Sequence, residues 1–140
     1  MEIYSRVFRF RLPPQSGWCD VTPNLKEVLI ESGVREGDAV VAVRGSTAGV
    51  MTTEKDPNLL DDYSRLWETL APVGADYRHN DTWGDHNGYS HLRSALQGTS
   101  LTIPVTEGEL FIGVWQQVIV LNFDERERER EVLFQIRGIK

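Results

Sequence analysis

Five consecutive residues, Ala39-Val40-Val41-Ala42-Val43, limit what this chain can become more than any other feature. Three of them are valines, whose stiff β-branched side chains fit a pleated surface better than a helix. Turn residues bound the run, Gly37-Asp38 before it and Arg44-Gly45 after it, so it reads as a short strand that is apolar on both faces. Such a strand belongs at the centre of a sheet with both faces covered. The rest of the chain must supply its neighbours, and Gly45-Ser46-Thr47-Ala48-Gly49 then lies at a strand end as a loop allowing close backbone approach to a ligand.

Residues 3–12 place Tyr4, Phe8, Phe10 and Leu12 on one parity, the period of a half-buried strand. Thr22 and Pro23 offer a cap and a first-turn proline, Leu25, Val28 and Leu29 follow at helical spacing, and Gly33 closes the helix. Leu59, Leu60, Tyr63, Leu66, Trp67 and Leu70 recur at spacings of three and four, which predicts an amphipathic helix from Pro57 to Leu70 that Ala71-Pro72 ends. Residues 74–89 are rich in Gly, Asp, Asn, His and Tyr and read as a long functional loop. Ser90 then caps a short helix from His91 to about Gln97, stopped by Gly98. Leu101 to Val105, Leu110 to Trp115, Val118 to Phe123 and Val132 to Ile139 read as strands, with a turn at Glu107-Gly108. Strands and helices alternate first and strands dominate last, so the expected fold class is α+β, with mixed or antiparallel sheets and a few helices. At 140 residues the chain makes one domain, 1–140, which buries enough surface to need neither disulfides nor a structural metal.

Between Glu125 and Glu131, Glu and Arg alternate strictly. A helix would stack like charges four residues apart, whereas a strand puts Glu on one face and Arg on the other. The expectation is a hairpin with two wet faces: either a charge-protected sheet edge or an ion-pair ladder between subunits. Arg126, Arg128 and Arg130 should therefore be exposed, while Phe111 and Trp115, on an apolar strand, should be packed.

Lys and Arg number 15 against 21 Asp and Glu, a net charge of -6, which repels phosphate backbones and anionic membranes at long range. Neither nucleic acid nor a membrane is an expected partner. No apolar run approaches the roughly 20 residues that span a bilayer. The first hydrophobic stretch is interrupted by Arg6, Arg9 and Arg11 and does not resemble a secretory signal, so a cytoplasmic location is expected. The single cysteine, Cys19, forms no internal disulfide and reads either as a small buried residue or as a nucleophile.

The three histidines, His79, His86 and His91, fall in the pattern H-x6-H-x4-H. Three imidazoles leaving an open fourth position suit a catalytic divalent metal, although hydrogen-bonding loop histidines would cluster in the same way. Glu54, Asp56, Asp81 and Asp85 flank the region and can hold a hard cation with bound phosphate, or serve as turn and cap residues. Arg44, Arg78 and Arg93 stand beside them, and guanidinium suits phosphate oxygens; Arg93 equally fits a solvated helix face. Gly45 to Gly49 is not a phosphate-binding Walker loop, because no Gly-Lys-Ser/Thr follows. Ser46 and Thr47 have no evident general base.

Gly45-Ser46-Thr47-Ala48-Gly49-Val50, Glu54, Asp56-Pro57, Tyr77-Arg78-His79, Asn87-Gly88, Ser90-His91-Leu92, Ser100-Leu101-Thr102, Pro104-Val105 and Gly113-Val114-Trp115-Gln116 together resemble the YjbQ family, described as secondary thiamine-phosphate synthases. The resemblance spans Val40 to about Phe123. It implies an α+β domain assembled as a homotrimer, a histidine-rich pocket associated with a divalent metal (zinc or magnesium), and a small phosphorylated ligand. The implied reaction joins a pyrimidine diphosphate to a thiazole phosphate and releases diphosphate. On this reading Glu54, Arg44 and Arg78 are catalytic candidates, and His79, His91 and His86 are metal-ligand candidates. Family members usually carry histidine where this chain has Gly45 and again where it has Tyr89, and asparagine where it has Thr53; the segment from Glu54 to Asp56 is also one residue shorter. His79 and His91 match directly, while His86 is at best a displaced substitute. The alternative is a degenerate, non-catalytic member acting as a metal- or small-ligand-binding trimer.

Overall fold

In a computed structural model covering all 140 residues, the chain begins with β1 (Glu2–Leu12), β2 (Gly17–Asp20), α1 (Thr22–Ser32) and β3 (Glu36–Val43). β4 (Ala48–Glu54), α2 (Pro57–Leu70), α3 (His79–Trp83) and α4 (Gly88–Gln97) follow. The last third holds β5 (Ser100–Thr106), β6 (Glu109–Leu110), β7 (Gln116–Asn122) and β8 (Arg128–Ile139). All pairings are antiparallel, in a five-stranded sheet ordered β1-β8-β3-β5-β6 and a three-stranded sheet ordered β2-β7-β4. The α+β class read from sequence is the class observed.

One main core lies between α1 and the inner faces of the two sheets. It joins Leu25, Val28 and Leu29 of α1 to Val41 of β3, Phe134 and Ile136 of β8, and Val118 and Val120 of β7. A second, smaller cluster packs Trp67 and Ala71, at the end of α2, on Ile119, Leu121 and Phe123. Alternate residues of β7 thus enter different cores, and Val118 to Asn122 are all buried. β3 is central in its sheet as expected, but Val40 and Ala42 are only half-buried. The strand with both faces covered is β7, because only the smaller sheet has helices on its second face.

Local signals explain most element ends. Pro23 stands in the first turn of α1, and Gly33 ends it in the left-handed conformation at φ 70°. The N-cap is Val21 rather than Thr22; the Thr22 hydroxyl instead accepts the Val118 N–H at 2.7 Å, tying α1 to β7. Asp56 caps α2 by accepting the Asn58 N–H at 3.1 Å.

Several expectations are corrected. Ala48 to Glu54, which includes part of the presumed loop, is a strand. Of Leu110 to Trp115 only Leu110 lies in a strand, and Phe111 and Trp115 are 71% and 74% exposed rather than packed. Arg130 is only 6% exposed and Arg128 is half-buried, whereas Arg126 is exposed as expected. Arg128 and Arg130 share the inward parity of Val132, Phe134 and Ile136, so within β8 the arginine side turns toward the interior.

Candidate functional site

The histidines are placed by the packing of α4 on the small sheet and by the tie of α3 to the start of α4. Gly88 opens α4 against α3, its N–H donating to Asn80 Oδ1 at 3.1 Å. A Cβ at Gly88 would come within 2.7 Å of Tyr77 Cβ and 3.0 Å of Asn80 Oδ1, so a side chain here would displace the segment that leads into α3. Ser90, inside α4 rather than at its cap, donates to the Phe123 carbonyl at 2.6 Å. Arg93 is buried and donates to the Ala71 carbonyl at 2.8 and 3.0 Å and to Glu68 at 3.1 Å, with its guanidinium 5.0 Å from the Tyr89 ring centroid. It is neither a solvated residue nor a phosphate ligand; it satisfies the end of α2. Tyr63 donates to Gln97 across the α2–α4 contact, and burial pushes its phenol up to about 12, so it stays neutral.

This frame brings His79, the first residue of α3, against His91 of α4, with ring centroids 4.5 Å apart and planes tilted by 44°. His79 Nδ1 lies 3.8 Å from Asp85 Oδ1, and both atoms are buried without a hydrogen-bond partner. Unmet polar atoms of this kind cost about 1–3 kcal/mol each, which marks the spot as one that a ligand or solvent satisfies. His86 is exposed. Tyr89 is fully buried with its hydroxyl unpartnered.

The other candidates are more scattered. Arg78 is exposed immediately before His79. Arg44 is exposed, with Nη1 3.3 Å from Glu131 Oε2. Glu54 is exposed at the far end of β4, six residues beyond Ala48 and therefore about 20 Å along the strand from the turn near His91. No three His, Cys, Asp or Glu side chains converge to hold a metal ion. Zinc or magnesium would thus meet two imidazoles here and no complete ligand set within one chain.

Beside His91 a cavity of about 390 Å³ opens between the β3–β4 turn and α4, lined by Gly45, Ser46, Ser94, Ala95, Gly98 and Thr99 as well as His91. Hydroxyls and one imidazole face it, and no carboxylate does. A larger cavity, about 480 Å³, lies elsewhere, against Leu29, Ile30, Leu110 and Val114, and no histidine lines it.

Behind the turn is a polar cluster that sequence reasoning did not assign. Arg130 Nη2 donates to the Thr47 carbonyl at 3.0 Å, to Thr47 Oγ1 at 2.7 Å and to Asn122 Oδ1 at 2.6 Å. The Thr47 hydroxyl donates to Asp124 Oδ2 at 3.2 Å, which also accepts from Arg128 Nε at 2.8 Å. Burial alone would raise the Asp124 carboxyl, but the Arg128 hydrogen bond and charge and the Glu125 N–H outweigh it and hold the group below the usual carboxylate range. The signal that locates this cluster is the shared parity of Arg128 and Arg130 with the apolar residues that follow them.

The chain is thus a two-sheet antiparallel α+β domain with paired histidines beside a carboxylate-free cavity. Residues 6–139 match the family described as UPF0047 protein YjbQ-like, and the chain belongs to that family. A UPF0047 protein of Methanothermobacter thermautotrophicus is 34% identical over 138 residues, 99% of this chain and 94% of the relative. One from Synechocystis is 36% identical over 116 residues, covering 81% of this chain and 78% of the relative. Among solved structures, a YbjQ-like protein of unknown function from Sulfolobus solfataricus superposes with a TM-score of 0.92 at 25% identity, covering 98% of both chains. A hypothetical protein from Aeropyrum pernix gives 0.89 at 32% identity over 99% of both. No helix is long and apolar enough to cross a membrane.

Proposed function

We propose that this protein binds a small phosphorylated molecule beside the His79–His91 pair and joins a pyrimidine diphosphate to a thiazole phosphate with release of diphosphate. The observation that carries the site is the approach of the two rings to 4.5 Å, with His79 Nδ1 and Asp85 Oδ1 buried and unpartnered next to them. Paired imidazoles and nearby guanidinium groups suit a diphosphate, whose charge must be met as it departs. Arg78, adjoining His79, and Arg44, adjoining Gly45, are the candidates for orienting it. Glu54 lies at the opposite end of β4 and would serve this pocket only from a neighbouring subunit. The homotrimer implied by the resemblance belongs to this proposal, and the outward apolar residues Val7, Phe111, Val114 and Trp115 support association of chains.

A second reading, a non-catalytic ligand-binding member, is favoured by the incomplete metal-ligand set. Assay of thiamine-phosphate formation separates the two. Product from the wild type, lost in His91→Ala and kept in His86→Ala, supports the synthase. Binding of both substrates without product supports the second reading, and failure to bind either overturns both.

A further inference from the structure

Asp85 and His79 lie at opposite ends of α3, and the chain turns back to bring them together. The helix is only five residues long, and Gly84 ends it in the left-handed conformation at φ 71°, which a residue with a Cβ adopts reluctantly. Asp85 follows at once and is returned to the start of the helix, its Oδ1 3.8 Å from His79 Nδ1. Both atoms are enclosed and have no hydrogen-bond partner. The other ring nitrogen of His79, Nε2, is not enclosed in this way. The imidazole thus has one nitrogen toward Asp85 and one left open.

The two enclosed atoms dictate where the ring proton sits. An ionised carboxylate oxygen offers only lone pairs, and a neutral imidazole carries a proton on one nitrogen and a lone pair on the other. With the proton on Nε2, a bare Nδ1 would set its lone pair against those of Asp85, and both atoms would stay unmet. With the proton on Nδ1, a donor meets an acceptor, and an approach of about 1 Å completes the hydrogen bond. The turn before Asp85 leaves room for that approach, since a Cβ built on Gly84 meets nothing within 4 Å. We propose that Asp85 is a positioning residue of the candidate site: it holds a proton on His79 Nδ1 and presents Nε2, in a ring 4.5 Å from that of His91, as the nitrogen that meets the ligand. The inference rests on the ligand-binding reading above and names the group that orients one of the two imidazoles. A partner on the far nitrogen fixes both the tautomer and the orientation of the ring, so less freedom is lost when a ligand binds.

The test is long-range proton–nitrogen NMR correlation of the imidazole rings in the intact protein at about pH 8, above the ordinary imidazole range, followed by titration with diphosphate at constant ionic strength. The wild type is expected to show a protonated Nδ1 on His79, and a bare Nδ1 overturns the assignment whether or not any variant folds. Asp85→Ala is expected to move that proton to Nε2 and to weaken diphosphate binding about tenfold, as loss of the partner of a functional histidine does. Asp85→Asn keeps an acceptor oxygen and is expected to keep both the Nδ1 proton and the affinity. Removing a negative charge would by itself tighten the binding of an anion, so weakening in Asp85→Ala alone separates positioning from charge. A protonated Nδ1 or unchanged affinity in Asp85→Ala, shown to be folded by circular dichroism, contradicts the proposal. If the wild type binds no diphosphate the ligand reading fails, while the wild-type tautomer still decides the role of Asp85.

Discussion

Two segments of the last third of the chain sit in environments opposite to their composition. Phe111 to Trp115 is apolar and lies largely on the surface, while the Glu/Arg alternation before Val132 sends Arg130 into the interior. The difference is one of partners. Arg130 is held by Thr47 and Asn122, both buried, so its desolvation is offset inside one chain. Phe111, Val114 and Trp115 find no comparable cover within the chain, and an exposed apolar patch of this kind marks a contact surface. Charge alone therefore does not set burial here; the availability of a complementary group does.

The largest expected effect comes from breaking the buried side of that contrast. Arg130→Met removes the three hydrogen bonds that tie β8 to Thr47 and Asn122 and is expected to cost about 3 kcal/mol in urea unfolding. A loss under about 1 kcal/mol would show that the cluster is not what holds the turn.

Acid should weaken the same cluster. The folded Asp124 carboxyl lies below its unfolded value, so its stabilisation is fully present above the ordinary carboxylate range and is lost as pH falls through the folded value. The unfolding midpoint should drop below about pH 4, and less steeply in Asp124→Asn, which starts from a lower stability at neutral pH. Equal slopes in the two proteins would remove Asp124 from the account.

The exposed segment should respond in the opposite way. Phe111→Ser with Trp115→Ser is expected to change the stability of the single chain by under about 0.5 kcal/mol while shifting the proposed trimer toward monomer in light scattering. A wild type that is already monomeric at micromolar concentration would remove the trimer. The smallest effect is expected at the exposed His86, where alanine should leave both stability and ligand affinity unchanged.

Much of the fold was legible because single periods govern it. The alternation in β1, the three-four spacing in α2 and the Gly33 stop each depend on near neighbours in sequence. The misreadings share another cause. Thr22, Arg93 and Arg130 look like a cap, a surface charge and a wet strand, yet each bonds to a residue at least 22 positions away. Such partners have no local signature. The inward parity of Arg130 was visible, but the mixed charge around it pointed outward. For the candidate site, the closeness of His79 and His91 followed from their clustering, whereas the distance to Glu54 depends on β4 being a straight strand rather than a loop.

The account turns on His79 and His91 forming the ligand pocket, and imidazole NMR during titration of the intact protein with a pyrimidine diphosphate tests this most directly. The His79 and His91 resonances are predicted to move together and saturate while His86 stays fixed. Movement of His86 alone, or of none of the three at saturating ligand, would contradict it.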